Sequence, residues 1–223
     1  MQRTSTPRCR PALPRVACAA AFAGAVLAAA AAPPEAAPYA PPAWPAGTGV
    51  GAGPTVASDP VRPLNLGKLR IVLETTQLAA VRSAVGAGTV VHQGNGSDAL
   101  SFLCYTVADA AAPQRLWLTS SELAGGGKID GIEAVELPSG TPVAPECPAL
   151  PASFQPLRFD DGLWLGALSV EQKRAYGTAA QHGGAWSASY HEKHGSLDVV
   201  GSIALDLRKG RVVGLFVAHA SQT

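Results

Sequence analysis

The chain has 223 residues, with 17 Lys and Arg against 16 Asp and Glu, so its formal net charge is +1 and charged residues make up 15% of it. A nucleic-acid binder needs a basic excess gathered on one face or in a run, and neither is present, which sets nucleic acid aside. The 47% hydrophobic content is raised by an Ala-rich N-terminus. The roughly 160 residues beyond Pro60 suffice for one domain or two small ones.

Met1 to Arg15 carries Arg3, Arg8, Arg10 and Arg15 without an acid, and Val16 to Ala32 is an apolar run ending in Ala30-Ala31-Ala32, the small residues after which a signal peptidase cuts. Residues 1–32 are therefore expected to be a signal peptide, and the chain periplasmic or secreted. An uncleaved anchor is the alternative, because the run approaches bilayer-spanning length, and it would be the protein's one tie to a membrane. Its alanines drive insertion weakly and prolines follow at once, which favours cleavage. Cys18 stands at the start of the apolar run, the wrong place for lipidation.

Residues 33–60 consist almost wholly of Ala, Pro, Gly and small polar residues, including Ala40-Pro41-Pro42-Ala43-Trp44-Pro45. Such a segment buries too little apolar surface to offset its ordering entropy and is expected to be a disordered tether. Gly49-Val50-Gly51-Ala52-Gly53 mimics a phosphate loop, but no strand precedes it and no helix follows.

A structured pattern begins at Leu66. Thr75 or Thr76 can cap a short helix with Leu78, Val81 and Val85 on one face and Gly86 as its stop. Strands are expected at Thr89 to His92, Leu100 to Val107, Arg115 to Thr119 and Ile129 to Leu137, with turns at Gly94-Asn95-Gly96-Ser97 and Gly125-Gly126-Gly127. Residues 61–140 thus form a first helix-plus-sheet unit, and 141–160 a Pro-rich linker. In residues 161–223 the order returns. Ser169-Val170-Glu171-Gln172 has the form of a capping box, and a helix to Tyr176 ends at Gly177. Strands follow at Trp186 to His191, Leu197 to Leu207 and Val213 to Val217, the last two joined by the turn Arg208-Lys209-Gly210. Leu66-Gly67 and Leu165-Gly166 open the two halves alike. The expected fold class is α+β, two tandem units of short helix plus antiparallel meander, packed together or sharing a sheet.

Removal of the leader takes Cys9 and Cys18 with it and leaves Cys104 and Cys147, which in an oxidising compartment are expected to pair. This order of elements, with Leu163 to Gly166 and the final Asp206 to Val213, resembles the fold shared by β-lactamase inhibitory protein and the SmpA/OmlA-type small outer-membrane lipoproteins. The resemblance implies a protein that offers a concave sheet face to a partner in the cell envelope. The chain departs from the lipoproteins in lacking a lipidation cysteine directly after its apolar run, and no contact residue of the inhibitor can be matched to a position here.

Residues that could carry chemistry are scattered. His191-Glu192-Lys193-His194 is the one histidine cluster, with His182 and His219 as possible third metal ligands. On a strand, however, positions three apart face opposite ways. Ser120 and Ser121 lie outside any nucleophile elbow. Cys104 would be silenced by a disulfide, Asp160-Asp161 sits in a linker-like stretch, and Glu133 and Glu136 point to opposite faces. Four aromatics, Tyr105, Trp117, Trp186 and Tyr190, fall on expected strands, where they either pack against the helix or mark a binding surface. Asn95-Gly96-Ser97 matches a glycosylation sequon that its turn role also explains.

These residues point to an exported bacterial envelope protein acting as a non-catalytic, inhibitor-like or assembly-factor-like binding module. Its sheet face would meet an envelope or secreted protein, with no cofactor and no metal. An exported hydrolase or metal-dependent enzyme using His191, Glu192 and His194 is the alternative, and a purely structural envelope protein a third reading.

Overall fold

A computed structural model describes residues 39–43, 50–108, 112–122, 125–168, 170, 180–182 and 185–222. The signal peptide and the second expected helix lie outside them. Among these residues, two antiparallel sheets and one α-helix make up most of the structure. Strands β1 (Leu64–Leu66), β2 (Leu69–Ile71) and β7 (Leu157–Phe159) form a small sheet in the order β2-β1-β7. The large sheet has eight strands. They are β3 (Val91–Gln93), β4 (Leu100–Val107), β5 (Gln114–Ser121), β6 (Gly131–Glu136), β8 (Ala180–His182), β9 (Ala185–His194), β10 (Leu197–Arg208) and β11 (Arg211–Gln222), in the order β3-β4-β5-β6-β11-β10-β9-β8.

The helix α1 (Leu78–Val85) turns Leu78, Val81 and Val85 inward and ends at Gly86, whose φ of 74° is the left-handed value a helix stop requires. Thr76 serves the turn before α1 rather than the helix, its hydroxyl accepting the Val72 N–H at 3.0 Å. Lys209 and Gly210 both take positive φ, which gives the β10–β11 hairpin its tight connection. A bulge in that hairpin shifts the register between Asp206 and Leu207.

The expected pair of tandem helix-plus-meander units is corrected by this topology. The protein is mostly β, with one α-helix among the described residues, and neither sheet respects the boundary between the halves. β6 pairs with β11 along Gly131 to Val135, merging the strands of both halves into one sheet. β7, from the expected Pro-rich linker, pairs with β1 at Leu64↔Phe159 and Leu66↔Leu157. Three-residue strands carry no periodic signal, and their partners lie far away in sequence, so local pattern could not reveal them.

Alternation along each strand gives the large sheet two distinct faces. Its inner face carries Leu103, Tyr105, Leu116, Leu118, Ile132, Ile203, Leu205, Leu215 and Val217, which pack with α1 and with Leu64, Leu66, Ile71, Leu157 and Phe159 of the small sheet in one core. The opposite, outer face carries a smaller cluster of Phe102, Cys104, Trp117 and Cys147. Cys104 and Cys147 are joined there by a disulfide, with Cα atoms 4.7 Å apart. No helix among the described residues is long and apolar enough to cross a membrane.

Candidate binding face

Residues 39–43 and 50–60, expected to be disordered, pack against the large sheet. Tyr39 and Ala40 lie on the outer-face cluster. The Trp117 indole N–H donates to the Tyr39 carbonyl at 2.7 Å, and the Arg115 guanidinium stacks over the Tyr39 ring with 4.8 Å to its centroid. Burial pushes the Arg115 pKa down, with the Tyr39 hydroxyl acting weakly in the other direction. Tyr39 itself has φ 64°, a left-handed conformation that a non-glycine residue occupies at a cost of about 1 kcal/mol.

Further along, the segment enters a trough of small side chains. Ser187, Ser189 and Ser202 are buried on adjacent strands β9 and β10 and share the outer face. Gly51 N–H donates to Ser202 Oγ at 2.7 Å, and Ser189 Oγ donates to the Gly53 carbonyl at 3.2 Å. Gly53 makes this close approach possible. A Cβ on Gly53 would stand 2.7 Å from Ser187 Oγ and 3.1 Å from its backbone, and the φ of 92° at Gly53 would strain any other residue independently.

β8 covers the edge of β9 only from Ala185 to Ser187. Beyond it, Pro54-Thr55-Val56 completes the pairing in parallel at Thr55↔Ser189. Ser189 N–H donates to the Pro54 carbonyl at 3.0 Å, and Val56 N–H donates to the Ser189 carbonyl at 2.7 Å. Proline suits the first position because only its carbonyl is used and its missing N–H costs nothing. Val56 then turns its side chain onto the main core.

The segment is anchored at Asp59. Gly201 stands between Tyr190 on β9 and His219 on β11, and a Cβ at Gly201 would collide with the Asp59 carboxylate that occupies this gap. His219 lies between two carboxylates, with Nδ1 at 2.7 Å from Glu74 and Nε2 at 3.5 Å from Asp59. The hydrogen bond to Asp59 raises the His219 pKa; burial opposes this, and Glu74 adds to it, so the net direction is upward. Burial alone would raise Glu74, but hydrogen bonds from Ser221 and His219 outweigh it and lower the carboxyl below its ordinary value. Glu74 holds a left-handed φ of 57°, fixed by its N–H to the Ile129 carbonyl and by Ser221 N–H at 2.7 Å from its carboxylate. A histidine between two carboxylates is thus a clasp that ties residues 59, 74 and 219 together.

Between the two packed stretches lies a cavity of about 340 Å³, lined by Val50 together with Thr119, Glu133, Phe216 and Ala218 of the outer face. At its rim, burial raises the pKa of Asp130, although Ser121 donates to it through both N–H and hydroxyl.

The four aromatics singled out from the sequence separate. Trp117 belongs to the outer face. Tyr105 and Trp186 are buried on the inner one, Tyr105 donating to the Ala87 carbonyl at 3.0 Å with its phenol pushed up to about 12 by burial. Tyr190 is half-buried, also on the inner face, and donates to Glu192 at 2.5 Å. The histidine cluster splits as well. His194 pairs with Glu192 at 3.1 Å on the inner face, whereas His191 projects from the outer one beside Gly51. Among the described residues no group of three or more His, Cys, Asp or Glu side chains is placed to hold a metal.

Sequence reasoning missed Tyr39, Arg115, Ser187, Ser189, Ser202, Asp59, Glu74 and His219 as members of one face and its clasp. One signal was present, since the serines alternate with Trp186 and Ala188 in a strand whose other face is core. The signal is weak because serines on a strand ordinarily mean solvent. Comparison with protein-family models, curated proteins and solved structures returns no match for this chain.

Proposed function

We propose that the chain is an exported envelope protein that works as a non-catalytic binding module, taking a protein partner on the outer face of its eight-stranded sheet. The N-terminal leader pattern and the Cys104–Cys147 disulfide support export. The observation that carries the binding reading is the construction of the face. A trough of buried serines, an edge that pairs with added backbone and an Arg-Trp clasp for a ring are the elements by which sheets recognise extended chains. The histidines that could have carried metal chemistry face opposite ways on β9.

Photo-crosslinking amino acids placed one at a time at Phe216 and Gln222 of β11, and at Lys68 in the β1–β2 turn as a control, test this in the native envelope. The expected result is one discrete adduct from the β11 positions and none from Lys68. Equal labelling at all three, or no adduct from the face, would overturn the reading.

A further inference from the structure

Two stretches of the large sheet that its short edge strands leave uncovered, one on β4 and one on β9, are completed by the same local device. At β4, Thr106 N–H donates to the Pro148 carbonyl at 2.9 Å and Leu150 N–H donates to the Thr106 carbonyl at 2.8 Å, a parallel bridge at Thr106↔Ala149. At β9, Ser189 makes the same two bonds to Pro54 and Val56. In each case the added unit is Pro-X-aliphatic, with the proline carbonyl as acceptor, the aliphatic N–H as donor and the aliphatic side chain turned onto the core. The chemistry selects this unit. Proline favours an extended backbone and asks for no donor of its own, the middle residue points its polar groups away, and the aliphatic side chain supplies apolar burial.

The two fillings differ in completeness. Pro148-Ala149-Leu150 adjoins Cys147, which is bonded to Cys104 and whose carbonyl accepts from Thr106 Oγ1 at 2.8 Å. Pro54-Thr55-Val56 has no covalent tie to the sheet it covers. Beneath the arm formed by residues 39–43 and 50–56, two buried atoms find no hydrogen-bond partner among the described residues, Ser187 Oγ under Gly53 and Arg115 Nε under Tyr39. An unsatisfied buried donor is costly, and Tyr39 adds a strained backbone. The arm fits the face as an imperfect ligand.

We infer that the β9 edge at Ser189 is an exchangeable strand-addition site for a partner protein's extended Pro-X-aliphatic segment, with Pro54-Thr55-Val56 as the resident competitor in cis. This rests on the proposed function of the outer face and names what that face takes. A partner segment that also presents an acceptor to Ser187 Oγ would bind where the arm cannot satisfy the site.

The test uses the full mature chain and a fluorescent peptide of residues 39–57. Gly53→Val prevents the protein's own arm from docking, and Asp59→Asn, which loosens the clasp instead, is the second variant should the first fail to fold. The peptide is expected to bind the variant at least tenfold more tightly than it binds wild type. Replacing Pro54 and Val56 of the peptide by glycine is expected to abolish that binding. No binding to a folded variant whose Ser189 amide exchanges freely would overturn the inference, while face-specific crosslinks from Phe216 would leave the functional proposal standing. Conversely, tight peptide binding with no crosslinks from the face would remove the functional proposal and keep the strand-addition site. A wild-type dimer that forms with rising concentration and is lost in Gly53→Val would make a second copy the occupant and overturn the assignment to a partner.

Discussion

The margins of the eight-stranded sheet at β4 and β9 solve one problem in two ways. Each central strand leaves backbone groups unpaired where its short neighbour, β3 or β8, stops, and an open edge invites unwanted pairing. Each is capped by a Pro-X-aliphatic tripeptide with the same two hydrogen bonds. At β4 the cap is bonded to the sheet through Cys104–Cys147, over a sequence separation of 43 residues. At β9 it is held by a serine trough, a ring clasp and a histidine between two carboxylates. The difference teaches that identical backbone pairing can be permanent or exchangeable, depending on what holds the added segment in place.

The largest expected effect breaks the permanent margin. Cys147→Ser should lower unfolding free energy in urea by about 4 kcal/mol, the chain-entropy value for a loop of this length, with loss of amide protection at Thr106 and Leu150. A change below about 1 kcal/mol would mean that hydrogen bonding alone secures this margin.

Breaking the exchangeable margin should be milder and local. Gly53→Val is expected to cost about 2 kcal/mol, since it forces a β-branched residue into positive φ against Ser187. Hydrogen exchange should then accelerate at Ser189 and Val56 while Thr106 and Leu150 stay protected. Global acceleration would show that the arm belongs to the cooperative core.

His219→Gln sharpens the comparison through pH. The raised His219 pKa gives stabilisation that is fully present below its ordinary 6.5 and is lost as pH rises through the folded value. The lowered Glu74 pKa gives stabilisation present above its ordinary 4.5 and lost as pH falls through the folded value. The clasp is therefore strongest between about pH 4.5 and 6.5. Within that window wild type should exceed the variant by about 1.5 kcal/mol, with the gap closing on the alkaline side, as read from melting curves. The groups facing the imidazole are Asp59 and Glu74, with Tyr190 beside Asp59 and Asp130 beside Glu74. A gap independent of pH would assign His219 to packing alone.

The smallest expected effect is at the ring clasp. Arg115→Ala should cost about 0.5–1 kcal/mol through the lost cation–π contact, offset in part by removal of a buried unpaired donor. Denaturant midpoints measure it, and a stabilised variant would show that the unsatisfied Nε outweighs the stacking.

Local pattern carried a good part of this architecture. Leu78, Val81 and Val85 repeat at helical spacing before a glycine, and α1 lies where they stand. The run at Leu197 to Leu207 alternates over enough residues to declare a strand, the run at Leu100 to Val107 is β-like in composition, and β10 and β4 occupy them. β1, β2 and β7 were illegible because three residues cannot display a period. The arm was illegible for another reason: its composition argues against a self-sufficient core, and that judgement does not cover a segment that borrows one from a sheet.

By itself, then, the sequence determined the helix, the long strands and the pair of cysteines available to bond, because each depends on residues that are neighbours or on a simple count. The tertiary structure alone decided that the strands of both halves share one sheet, that Asp59, Glu74 and His219 meet, and that Pro54-Thr55-Val56 and Pro148-Ala149-Leu150 do the same work at opposite margins. Those facts depend on pairing across 40 to 160 positions of chain, and backbone hydrogen bonds of that range are available to any sequence and chosen only when the whole core closes.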